Sequence, residues 1–67
     1  MFIELTNATP ALSGKEIAVR KEIIVSVYRC ALKREDDTIE EVTCVFVPPH
    51  GTWEVRESVK EVLELMK

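Results

Sequence analysis

The sequence predicts a small α+β domain: a small antiparallel sheet of four or five short strands, barrel-like or a meander, closed by one C-terminal helix. Three observations predict it. Apolar and polar residues alternate in several short runs, prolines and glycines interrupt those runs, and a helix-start signal stands near the end of the chain. With 67 residues, the chain has room for a single domain, residues 1–67, with a small hydrophobic core.

The first two strands are predicted at residues 1–6 and 15–20. In the second of them Ile17 and Val19 alternate with Glu16, Ala18 and Arg20, which is the period of a sheet with one face in water. The segment between the two strands contains asparagine, threonine, proline, serine and glycine. We therefore expect it to form a loop.

The middle of the chain predicts two strands in the interior of the sheet. Residues 23–30 are rich in β-branched side chains, so we expect them to form the central strand. Residues 31–41 are charged and contain an Asp-Asp pair, which favours a hairpin connection. Residues 42–47 are apolar on both faces, so this strand is also expected to be central, and it should stop at Pro48.

A last strand and the helix complete the prediction. Residues 52–55 form the strand, and Ser58 with Glu61 forms a capping box at the helix start. The spacing of four apolar residues then predicts one buried stripe that covers the sheet. These residues are Val59, Val62, Leu63 and Met66.

The amino-acid composition indicates a folded, soluble chain. Hydrophobic residues make up 46% of it and charged residues 31%, a balance that disordered segments lack. A core of this size leaves only about a few kcal/mol of stability, so we expect a homodimer or larger assembly through sheet edges or leftover apolar surface. No segment has the apolar run of a signal peptide or a membrane span, so a cytoplasmic location is the default expectation.

The chemistry-bearing residues predict no catalytic or metal site. Cys30 and Cys44 are too few for a disulfide scaffold and are expected to be reduced and buried. Together with His50, they are the only soft metal ligands, and their spacing lacks the close pairs of a zinc site. A Cys-His catalytic pair would need a third group and a cleft. We therefore expect a protein that is not an enzyme and has no cofactor.

Three aromatic residues are the candidates for binding another protein. His50 lies in the Pro-Pro-His-Gly turn, which is either an ordinary strand connection or a projecting recognition tip. Trp53 follows this turn and is either a core anchor under the helix or part of a partner interface. Tyr28 is the weaker candidate of the same kind.

The charge distribution provides an alternative function. Residues 1–34 carry six basic and three acidic residues, whereas residues 35–67 carry three basic and nine acidic residues. Such polarity can steer a basic partner or a second copy onto the acidic half. The alternative is nucleic-acid binding by basic residues of the N-terminal half, if these gather on one face. The candidate residues are Arg20, Lys21, Arg29, Lys33 and Arg34.

Several segments carry a resemblance to a known family. They are Phe2-Ile3-Glu4-Leu5-Thr6, Gly14-Lys15-Glu16, the Ile23-Ile24 pair, residues 42–47, and residues 53–62 with their Glu-Ser-x-x-Glu-Val helix start. Over nearly its whole length the chain resembles the FlbD/SwrD-type flagellar and swarming motility proteins, relatives of which also occur in phage and prophage genomes. The middle turn is longer here, and Pro48-Pro49-His50 replaces the usual Asn-Gly-like pair.

The resemblance implies a function class rather than a reaction. It implies a bacterial or phage protein with a small sheet and a C-terminal helix, which regulates or interacts and which carries no catalytic motif. Combined with the residue analysis, it predicts a non-enzymatic module that binds another protein.

Overall fold

Five strands form two antiparallel sheets in the computed structural model, which describes all 67 residues. Strands β1 (Phe2–Thr6) and β2 (Glu16–Arg20) form the two-stranded sheet. Strands β3 (Ser26–Lys33), β4 (Ile39–Val47) and β5 (Gly51–Val55) form the three-stranded sheet in that order. Helix α1 (Val59–Leu65) follows β5. The α+β class and the antiparallel pairing are confirmed, but the strands do not form one sheet and do not close into a barrel.

The two sheets meet at a short junction. Asn7 and Val55 form an isolated antiparallel bridge, and the Arg56 N–H donates to the Thr6 carbonyl at 2.9 Å. Beyond this point the Glu57 carboxylate takes the place of a backbone partner, because it accepts from the Thr6 N–H at 2.9 Å and from the Thr6 hydroxyl at 3.0 Å. The pairing therefore stops after a few residues, and β1 and β2 pack on the inner face of the three-stranded sheet instead of extending it.

The hydrophobic core lies between the two sheets and α1. Along β1, β2, β4 and β5 every second side chain points toward this core, and most of these side chains are apolar. Helix α1 contributes a single fully buried side chain. The buried members of the core are Ile3, Leu5, Val19, Val45, Val47, Val55 and Val62.

The prediction of a central strand at residues 23–30 is wrong. Lys21–Ile23 form a 3₁₀ turn, and β3 begins only at Ser26 and lies at the edge of its sheet. The hairpin is confirmed, but its strands continue into the charged segment, so the turn shrinks to a short connection closed by the Arg34 N–H donating to the Thr38 carbonyl at 2.8 Å. The central position of β4 is confirmed.

The disulfide between Cys30 and Cys44 overturns the prediction of reduced cysteines. In the register of β3 and β4, Cys44 lies opposite Tyr28 and Cys30 lies opposite Val42. The two cysteines are therefore diagonal neighbours on the outer face of the three-stranded sheet, with their Cα atoms 6.2 Å apart. That separation is within the usual range for a disulfide. The spacing in the sequence did not show this because it depends on the strand register.

Helix α1 (Val59–Leu65) begins where the capping box predicts. The Ser58 hydroxyl accepts from the Glu61 N–H at 3.1 Å, and the Glu61 carboxylate accepts from the Ser58 N–H at 3.0 Å. Of the predicted buried stripe, only Val62 is fully buried, whereas Leu63 is half exposed. The helix has seven residues, too few to lay a full stripe over the sheet.

Replacing Ser58 with alanine is expected to lower the free energy of unfolding by about 1 kcal/mol, because an N–H at the helix start loses its acceptor. Urea unfolding monitored by circular dichroism measures this loss. Ser26→Ala is the matched control, because Ser26 is exposed on β3 and its hydroxyl makes no hydrogen bond within the chain. An unchanged unfolding midpoint for Ser58→Ala would contradict the capping role.

Candidate functional site

A shallow apolar groove of about 290 Å³ lies beside β2, between that strand and the turn that precedes β5. Apolar side chains dominate its lining, and Arg20 and His50 are the polar members. We call it the β2 groove. Its large apolar lining residues are Phe2, Ile17, Val19, Ile23, Val47 and Trp53.

Sequence alternation explains why these side chains meet. Trp53 lies opposite Val45 in the sheet register and therefore points to the inner face of β5, where it is only partly buried. Val19 is buried and Ile17 half-buried on the facing side of β2. Phe2 remains 63% exposed at the start of β1. The groove thus presents apolar surface that the small core does not cover.

The structure brings together two of the three predicted partner-binding residues. His50 and Trp53 both line the β2 groove. Tyr28 lies elsewhere, because it is opposite Cys44 and points to the outer face of the three-stranded sheet. There it is 46% exposed beside the disulfide. Sequence reasoning missed Phe2 and Ile23, whose apolar character was assigned to strands.

One edge of β2 is free of backbone partners, and this feature was also missed. The Lys21 N–H donates to the Met1 carbonyl at 3.0 Å, and the Asn7 N–H donates to the Lys15 carbonyl at 2.9 Å. Odd-numbered residues of β2 therefore direct their backbone groups toward β1. The N–H and C=O groups of Glu16, Ala18 and Arg20 point to the opposite side, where no strand pairs with them.

The five basic residues proposed for nucleic-acid binding do not form one unpaired patch. Arg20 and Lys21 lie at the end of β2, whereas Lys33 and Arg34 lie at the tip of the β3–β4 hairpin. Most of them contact an acidic side chain of the same chain. The contacts are Arg29 with Glu41 at 2.6 Å, Arg34 with Glu40 at 2.6 Å, Lys33 with Asp37 at 3.4 Å and, more loosely, Arg20 with Glu22 at 3.9 Å.

The Arg34–Glu40 pair has the least exposed cation among these contacts. The Arg34 side chain donates from Nε to Glu40 at 2.7 Å, and Arg56 lies 3.8 Å from the same carboxylate. The hydrogen bond from Arg34 lowers the pKa of Glu40 and raises the pKa of Arg34. The pair holds the base of the hairpin turn, which is a structural task.

The soft metal ligands named from the sequence are not assembled into a site. The sulfurs of Cys30 and Cys44 are bonded to each other, and a disulfide sulfur is not a thiolate ligand or nucleophile. His50 lines the β2 groove, while the cysteines lie on the outer face of the three-stranded sheet. No three histidine, cysteine, aspartate or glutamate side chains are grouped so as to hold a metal ion.

Comparison of the chain with protein-family models, curated proteins and solved structures finds no match. Its one α-helix is too short to cross a membrane. The features of the chain that bear on its function are the β2 groove, the free edge of β2 and the charges beside them.

Proposed function

We propose that this chain is a non-catalytic module that binds another protein by receiving an extended segment along the free edge of β2. The observation that carries the proposal is the apolar β2 groove lying directly beside unpaired backbone groups. A strand added to a sheet edge gains its affinity from main-chain hydrogen bonds and its specificity from pockets for its side chains. The β2 edge and groove offer both features in one place.

Charge and polarity define the kind of segment that fits. The exposed side chains of Glu16 and Arg20 flank Ala18 on the outward face of β2. An added strand that carries a basic residue beside Glu16 and an acidic residue beside Arg20 would pair with both. Its alternate, apolar side chains would cover Ile17 and Trp53 in the groove.

The family resemblance supports the class of function and does not identify the partner. The resemblance to FlbD/SwrD-type proteins implies a small regulatory or interaction protein, which agrees with this proposal.

Nucleic-acid binding receives no support from the arrangement of the basic residues, because acidic side chains accompany Arg29, Lys33 and Arg34. Phosphate contacts would have to displace those partners.

A peptide-binding experiment tests the proposal. The protein is used to select binders from a library of random linear peptides, at a protein concentration where the chain is monomeric. Trp53 is the only tryptophan, so occupation of the groove should shift its fluorescence to shorter wavelength as water is excluded. Bound peptides should also slow hydrogen exchange at the amide of Ala18, which has no partner within the chain.

Ala18→Pro is the decisive variant, and Ala18→Ser is its matched control. Proline removes an N–H that points away from β1, so the β1–β2 ladder is retained while pairing at the free edge is blocked. We expect the proline variant to lose peptide binding and the serine variant to keep it. Equal binding by both variants, or peptides that protect only the outer face near Tyr28, would overturn the proposal.

A further inference from the structure

We propose that the segment received at the free edge of β2 is the β2 strand of a second copy of this chain, which produces a symmetric homodimer. This inference rests on the proposed function, because it names the occupant of the same edge. The strand reads Glu16-Ile17-Ala18-Val19-Arg20. When two copies of this strand lie antiparallel with their Ala18 residues opposite each other, Glu16 of each copy faces Arg20 of the other.

The backbone N–H and C=O groups of β2 alternate in direction in the way that this pairing requires. A twofold axis at Ala18 places Ala18 opposite Ala18 of the second copy and Glu16 opposite Arg20 of the second copy. These even-numbered residues are the ones whose N–H and C=O groups point to the free edge. All the outward backbone groups of β2 would then have hydrogen-bond partners. The two-stranded sheets of the two copies would form one continuous antiparallel sheet, β1-β2-β2-β1.

The side chains favour the same register. Glu16 makes no ion pair within the chain, and the Arg20 guanidinium makes no hydrogen bond and lies 3.9 Å from its nearest carboxylate. Directly opposite charges on neighbouring strands attract each other, and the axis creates two such pairs. Moving the axis to Val19 places Glu16 opposite Glu22, and moving it to Ile17 places Arg20 opposite Gly14. Both shifts lose the two ion pairs.

The other sheet edges are poorer candidates for self-pairing. Strand β3 carries Arg29 and Lys33 and no acidic residue, so two antiparallel copies of this strand would offer each other no pair of opposite charges. The outer edge of β5 is partly occupied, because the Ala8 N–H donates to the Glu54 carbonyl at 2.9 Å. Edge β2 alone combines free backbone groups, opposite charges and adjacent apolar surface.

Charge reversal and its rescue test the dimer. Sedimentation of the full chain over a range of concentrations should show a monomer–dimer equilibrium. Arg20→Glu and Glu16→Arg each replace two attractive pairs with two repulsive pairs, so we expect either change to weaken association by about tenfold or more. The double variant that exchanges both charges restores the pairs, and its association should return to within about threefold of the original.

Amide exchange separates this inference from the proposed function. On dimerisation the Ala18 amide should become protected, whereas the Val19 amide, which faces β1, should be protected at every concentration. A chain that remains monomeric at high concentration, or a dimer in which Ala18 stays unprotected, would overturn the homodimer. In either case, a foreign peptide that protects Ala18 in the original chain but not in Ala18→Pro would still support the proposed function.

Discussion

Reduction of the Cys30–Cys44 disulfide is expected to lower the free energy of unfolding by about 3 kcal/mol. The two cysteines are 14 residues apart in sequence, and closing a loop of that size removes about this much conformational entropy from the unfolded chain. In a domain with so small a core, this is a large fraction of the total stability. Urea unfolding with and without a phosphine reductant measures the difference.

The double variant Cys30→Ala, Cys44→Ala is the matched control for reduction. It lacks the disulfide, so it should unfold near the midpoint of the reduced protein, and the reductant should not shift it further. Alanine is preferred to serine because Cys44 is buried and a hydroxyl there would lack a partner. A reductant effect of the same size on the double variant, or no effect on the original chain, would contradict the stabilising role of the disulfide.

Local features of the fold could be read from the sequence because their causes are local. The alternation of Ile17 and Val19, the stop at Pro48 and the capping of α1 by Ser58 each depend on neighbouring residues. The arrangement of strands could not be read in this way. Apolar content placed residues 23–30 at the centre of a sheet, yet Ile24 packs against the core from outside any strand and β3 is an edge.

The candidate site shows the same division. Trp53 and His50 could be proposed from the sequence because an aromatic residue beside a rigid turn is a local signal. The free edge of β2 was missed because it depends on which strands do not pair. Strand β2 pairs only with β1, and the bridge to the three-stranded sheet is made by Asn7, just after β1. The disulfide was missed for a related reason, since Cys30 and Cys44 meet only through the β3–β4 register. The opposite charges at the two ends of β2, Glu16 and Arg20, were visible in the sequence. They indicate self-pairing only once that strand is known to lie at an edge.

Replacing Leu5 with alanine is expected to lower the free energy of unfolding by about 3 kcal/mol. Leu5 is 1% exposed and belongs to the cluster that joins β1 and β2 to the three-stranded sheet. Truncating a buried leucine loses transfer free energy and leaves a cavity, at a combined cost of about 2 to 5 kcal/mol. Since a domain of this size has about that much stability in total, a substantial fraction of the variant should be unfolded without denaturant.

Leu12→Ala is the matched control, because Leu12 is 40% exposed in the loop between β1 and β2. It should cost well under about 1 kcal/mol, as exposed substitutions usually do. Urea unfolding followed by Trp53 fluorescence reports both stability and the groove, since Trp53 packs against the same cluster. Equal midpoints for the two variants would mean that β1 and β2 are not held on the three-stranded sheet by this core. The β2 groove, whose two sides come from the two sheets, would then lose its structural basis.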